Sequence, residues 1–93
     1  MTRFPTDPEV ADIAAIAPAG PALTSYDYAH RVTYLRLLDA HAEGTDWREV
    51  VRIVLHIDPD REPEQARKTF ESHLARAQWM TEHGYRHLLK GAG

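Results

Sequence analysis

The sequence predicts an all-α fold, a small four- to five-helix domain built around a helix-turn-helix with an extended turn. Three observations lead there. Apolar residues recur at helical spacing in three separate stretches. Each stretch carries a start or stop residue in the right place. The second and third stretches are separated by the seven residues 56–62, "HIDPDRE", where an ordinary helix-turn-helix has about three or four.

The first helix is predicted from Tyr26 to Glu43, with Thr24 or Ser25 as its cap and Gly44 just past its end. Tyr28, Leu35, Leu38 and Ala42 share one face, with Val32 at its edge. Tyr26, His30, Tyr34, Leu37 and His41 form a second stripe on the opposite side. One stripe is enough to join a core, so the second is either another packing surface or an exposed interface. The second helix is predicted from Trp47 to Leu55. Asp46 and Glu49 have capping-box spacing, and Trp47, Val50, Val51 and Val54 follow a helical period. The β-branched run "VVRIVLHI" also suits a strand, but no partner strand is evident, so helix is favoured.

The third helix starts at Pro63, where a missing amide hydrogen costs nothing, and runs to His83, with Gly84 ending it. Ala66, Phe70, His73, Leu74 and Ala77 form its core stripe, and Trp79 falls about opposite Phe70. A short terminal helix, "YRHLLK", is expected to return Tyr85, Leu88 and Leu89 to the bundle. Residues 1–24 hold Pro5, Pro8, Pro18 and Pro21 and are read as a flexible arm, leaving 25–93 as the domain. The alternative is that Ile13 and Ile16 dock the arm.

With 93 residues, one domain is expected. There is no cysteine, which removes disulfides and thiolate metal sites. No apolar run approaches the roughly 20 residues of a membrane span and no secretory leader is visible, so a cytoplasmic protein without membrane contact is expected. Net charge is −3, from 11 basic and 14 acidic residues, whereas a dedicated nucleic-acid binder usually carries a positive surplus.

Catalysis and metals find little support. The six histidines lack metal-ligand spacing: His83 and His87 are four apart, with Gly84 between them. Ser25 and Ser72 have no nucleophile-elbow context, and there is no phosphate-binding glycine loop. No enzyme, no metal and no cofactor are therefore expected. The basic residues of the third helix, Arg67, Lys68 and Arg76, would serve a DNA-binding reading. Against it stand Asp58, Asp60, Glu62, Glu64 and Glu71. Residues 56–64 carry four acids and one base, and a carboxylate close to phosphate repels it. The plainer account is that Asp58 and Asp60 form the turn with Pro59, while Glu62 and Glu64 suit a helix N-terminus. Trp79, on a polar face, is either covered by the arm or the terminal helix, or a binding anchor.

"VTYLRLLDAHAEGTDWREVVRIVLHIDPDRE" followed by "ESHLARAQWMTEHGYRHLL" resembles a proteobacterial domain formerly of unknown function, described as the DNA-binding domain of RovC-like regulators. The resemblance covers about residues 25–90, and "WMTEHGYRHLL" is its most specific part. It implies a helix-turn-helix variant with an extended turn. Some members activate transcription through a basic face, following another N-terminal domain. Stand-alone acidic members resemble the QseM-like antiactivators that control transfer of integrative and conjugative elements. That branch implies binding to the N-terminal domain of an FseA-type activator and action on a TraR/LuxR-type quorum-sensing regulator. The expectation drawn is a monomeric antiactivator with a protein partner and no direct nucleic-acid binding. Tyr26, His30, Tyr34, Leu37, His41 and Trp79 are its candidate contact residues, and Asp58, Asp60, Glu62, Glu64 and Glu71 its DNA-excluding face. The alternative is a DNA-binding regulator using Arg67, Lys68 and Arg76.

Overall fold

A computed structural model describes residues 13–85 of the chain. Helices α1 (Ser25–Ala29), α2 (Arg31–Ala42), α3 (Trp47–Ile53) and α4 (Pro63–Glu82) follow in order, with no strand among the described residues. The all-α expectation holds. The residues predicted to form the terminal helix lie, from 86 onward, outside the described residues, as do residues 1–12.

Helices α1, α3 and α4 each begin on a local device legible in the chain. Thr24 caps α1 through a full capping box: its hydroxyl accepts from the Asp27 amide, and the Asp27 carboxylate accepts from the Thr24 amide at 2.9 Å. Asp46 caps α3 by accepting from the Arg48 amide at 3.1 Å. Residues 50–53 lie within α3, which excludes the strand alternative. Pro63 opens α4. Gly44 (φ 73°) and Gly84 (φ 84°) take the left-handed position after α2 and α4. Thr45 and Tyr85 then bond back to the Ala40 and Met80 carbonyls, closing both helix ends.

The single first helix is in fact two. His30 sits between α1 and α2 at φ −113°, ψ 26°. Its ring Nδ1 reaches the Tyr26 carbonyl at 2.8 Å, competing with the helical ladder for the same acceptor. Its ring also stacks on Tyr26 at 3.8 Å.

The core is Tyr34, Leu37, Val50, Val51, Val54, Leu55, Leu74, Ala77 and Met80, with α2 and α3 both packed on α4. Of the two stripes on α2, the Tyr34–Leu37 stripe is therefore the core one. Leu35 and Leu38 are half-buried, and Tyr28 is 48% exposed. Residues 13–24 run along α4 in the same direction as the helix. The Thr69 hydroxyl donates to the Ala15 carbonyl at 2.8 Å, the Ala17 amide to Ser72 Oγ at 3.0 Å, and Arg76 to the Gly20 and Ala22 carbonyls at 2.6 and 2.8 Å. Ile13 is half-buried against the core, and Ile16 is 54% exposed.

Candidate nucleic-acid interface

The turn between α3 and α4 is built by its own side chains. The Asp58 carboxylate accepts from the Asp60 amide at 2.9 Å, and Pro59 is fully buried. His56 holds φ 59°, a left-handed position that histidine tolerates better than most residues. The turn delivers α4 with one side packed on the core and another under residues 13–24. Glu64, Arg67, Lys68, Glu71 and Ala75 face solvent. Pro63, Glu64, Arg67, Lys68 and Glu71 line an open concavity of about 550 Å³.

Residues 47–71 carry five cations (Arg48, Arg52, Arg61, Arg67, Lys68) and six acids (Glu49, Asp58, Asp60, Glu62, Glu64, Glu71), all exposed, a net of −1. Two of those acids are paired. Arg52 meets Asp60 at 3.2 Å, and Arg67 meets Glu71 at 2.7 Å, one helical turn away. Asp60 and Glu71 thus sit beside cations rather than forming a uniform acidic face. Arg48, Arg61 and Lys68 have no carboxylate within ion-pair distance among the described residues. The guanidinium carbons of Arg48 and Arg67 lie 4.9 and 5.1 Å from the centre of the Trp47 ring, which in turn packs near Phe70.

The six residues predicted to contact a partner do not form one surface. Tyr34 and Leu37 have no exposed area and belong to the core. His30 is buried at 4%. Tyr26 is half-buried and lies under residues 13–17, its hydroxyl accepting from the Ala14 amide at 2.9 Å and bonded to His73 Nε2. His41 alone of the stripe is exposed. The reason is the period: the stripe is helical and apolar enough to be the core-facing side, and α4 occupies it. Trp79 is half-buried, with the Arg76 guanidinium over its ring at 4.1 Å and His83 stacked at 4.7 Å. Tyr85 packs beside it at 5.6 Å.

Arg76 requires a correction as a DNA contact. It is 3% exposed and bonds the Asp27 carboxylate through both Nε (3.1 Å) and Nη2 (2.7 Å). Asp27, buried at 0%, also accepts from the Tyr34 hydroxyl at 2.8 Å. Burial alone would raise the Asp27 pKa. The hydrogen bonds from Arg76, the Thr24 backbone and Tyr34 outweigh it and hold the carboxyl below its ordinary range. Burial and the neighbouring carboxylate push the Tyr34 hydroxyl far above its usual pKa. His73 is also fully buried, and burial lowers its pKa despite the bond from its Nδ1 to the Thr69 carbonyl.

Sequence reasoning missed Asp27 and Trp47 as organisers. Asp27 carried a signal, since Thr24-x-x-Asp27 is a capping box. Nothing in the sequence spacing shows that an arginine 49 residues later closes on it.

The family model for RovC-type DNA-binding domains, described as "T6SS, Transcription factor, DNA binding domain", matches residues 8–90. No curated protein matches the chain. The family match overturns the expectation of no direct nucleic-acid binding: the acidic balance that suggested it coexists with membership of a DNA-binding family whose function is transcriptional rather than enzymatic. The match supports the transcription-regulation reading and does not reach the antiactivator branch. No helix among the described residues is long and apolar enough to cross a membrane. Matched over nearly its whole length, with an α3–turn–α4 unit in the place of a helix-turn-helix, the chain belongs to the RovC DNA-binding-domain family.

Proposed function

We propose that this domain binds duplex DNA as the helix-turn-helix module of a transcription regulator, with the exposed face of α4 toward the groove. The family match over residues 8–90 carries this reading. The exposed positions of Arg67 and Lys68 in the second turn of α4 support it, since the early residues of the second helix of such a unit face base edges. Phosphate contacts dominate affinity, so binding should be strongly salt-dependent. Fluorescence anisotropy with genomic duplex fragments at two salt concentrations tests it. Binding that weakens steeply with salt, and further in Lys68→Gln, is the expected result. Salt-independent or undetectable binding would defeat it.

One observation favours a second reading. Asp58, Glu62 and Glu64 are exposed beside α4 with no cation within ion-pair distance among the described residues, and uncompensated carboxylates weaken DNA contact. A member of this family with such a turn could act against another regulator's DNA-binding surface, as a QseM-like antiactivator acting on an FseA-type or LuxR-type regulator. Retention of an FseA-type activator's N-terminal domain by the immobilised protein after nuclease treatment would support that role. Retention lost with nuclease would leave the DNA-binding reading alone.

A further inference from the structure

We infer that Arg48, Trp47 and Arg67 form a clamp on the phosphate backbone of the bound duplex, with one phosphate for each arginine; this rests on the DNA-binding reading above. Two helices contribute to it. Arg48 comes from the first turn of α3 and Arg67 from the second turn of α4, and both guanidinium carbons lie about 5 Å from the centre of the Trp47 ring (4.9 and 5.1 Å). Both arginines are exposed, and Trp47 is half-buried. A guanidinium on an aromatic face is held with its plane defined while its N–H edges stay open to an anion. Arg67 is fixed a second time by its Nε bond to Glu71 at 2.7 Å, which leaves its terminal nitrogens as the open donors.

A guanidinium fork suits phosphate and carboxylate alike, and the phosphodiester is the anion that the DNA-binding reading brings to this face. Two planar cations from different helices converge on one aromatic post, at the seam where the first helix of the unit would cross the DNA backbone. The charge balance of the face also needs such a device. With a net of −1 over residues 47–71, diffuse attraction cannot supply affinity, so the cations have to act at defined points. Trp47, read from sequence as one of the helically spaced apolar residues of the second helix, thereby acquires a positioning role.

The test is sequence-independent. The full chain is titrated into a random-sequence duplex of about two helical turns, by anisotropy, across a salt series. Arg48→Gln and Arg67→Gln are each expected to weaken binding on the order of ten-fold. Each should also reduce the slope of log affinity against log salt by about 0.9. Both residues are exposed, so melting temperatures should stay at the parent value, and Arg31→Gln, in α2 and bonded to the Tyr28 carbonyl, should change neither affinity nor slope. Arg48→Lys keeps the charge but loses the planar stack, so it should restore the slope and not the affinity. A second arm replaces chloride by inorganic phosphate at matched ionic strength. Weaker duplex binding there in the parent and not in Arg48→Gln is the competition the clamp predicts, whereas an Arg48-dependent rise in melting temperature with duplex binding unchanged would assign a free-phosphate site and overturn the backbone clamp. If the duplex binds and neither glutamine variant changes the slope, the clamp falls and the DNA-binding reading stands. If Arg48→Lys equals the parent, the ring does not organise the site and the clamp is again wrong. If no duplex binds at all, both fall together.

Discussion

Replacing Arg76 with alanine should do far more than remove a positive charge. Arg76 donates to both Asp27 oxygens at 3.1 and 2.7 Å and to the carbonyls of Gly20 and Ala22 at 2.6 and 2.8 Å. The side chains of the pair are 2% and 1% exposed. Removing one partner leaves a buried carboxylate without its cation, a change that typically costs about 3–5 kcal/mol. Two carbonyls lose their donor as well. A 93-residue chain has on the order of 5–14 kcal/mol of total stability, so the variant would sit near the edge of folding. Each kcal/mol shifts the melting point of a domain this size by about 4–8 °C. The assay is urea unfolding followed by circular dichroism, with amide exchange read at residues 13–24. Arg76→Ala should lower the midpoint sharply, and exchange at Gly20 to Leu23 should accelerate. Adding Asp27→Asn to it should recover part of the loss by removing the stranded charge. A loss below about 1 kcal/mol, with exchange unchanged, would show that the pair does not hold the N-terminal stretch on α4 and would refute the argument.

Acid should loosen the same region in two steps. His73 is held neutral below its ordinary 6.5, so its contribution is complete above that value and declines as pH falls below it. Asp27 is held below its ordinary 3.8, so its contribution persists to about that pH and is lost below it. Urea midpoints from pH 7 to 3 check both, and the first decline should vanish in His73→Gln. Leu37→Ala should cost about 2–5 kcal/mol, whereas exposed His41→Ala on the same stripe should stay within about 0.5 kcal/mol; equal effects would mean the stripe is not the core face. Gly44→Ala should cost about 1 kcal/mol from its φ of 73° alone, because nothing lies within 4 Å of the added methyl. His56→Gly, at φ 59°, should be neutral to about 1 kcal/mol stabilising, and a clear loss would reveal a side-chain role.

The helices were readable because their signals are local. Asp46, Pro63, Gly44 and Gly84 act within one turn of where they stand, and each was placed from sequence. The kink at His30 was not, because it depends on which acceptor a histidine ring reaches. Periodicity revealed two stripes on α2, yet the choice of core face depends on where α4 lies, and that is tertiary information. Tyr34 and Leu37 were consequently assigned outward, and Arg76 was counted among accessible cations although Asp27 takes it inside. Arg67 and Lys68, named from sequence as candidate DNA contacts, lie exposed on α4, where their neighbours on the wheel are polar. The pairing of Asp60 with Arg52 across the turn was invisible, and with it the fact that part of the acidity is locally balanced.

The stretch that lies along α4 sets an order of events during synthesis. Its partners are 54, 55 and 56 residues downstream, at Thr69, Ser72 and Arg76. On the ribosome, the contacts of Ala15, Ala17, Gly20 and Ala22 with α4 have to wait until nearly all of that helix has been translated. A chain stalled before Arg76 would expose the Ile13–Leu23 segment and leave Asp27 without its cation, a form that quality-control proteases can recognise. Closing loops of this length is entropically slow relative to forming the helices. The contacts of this stretch with α4 therefore become available only after α1, α2 and α3 have been synthesised.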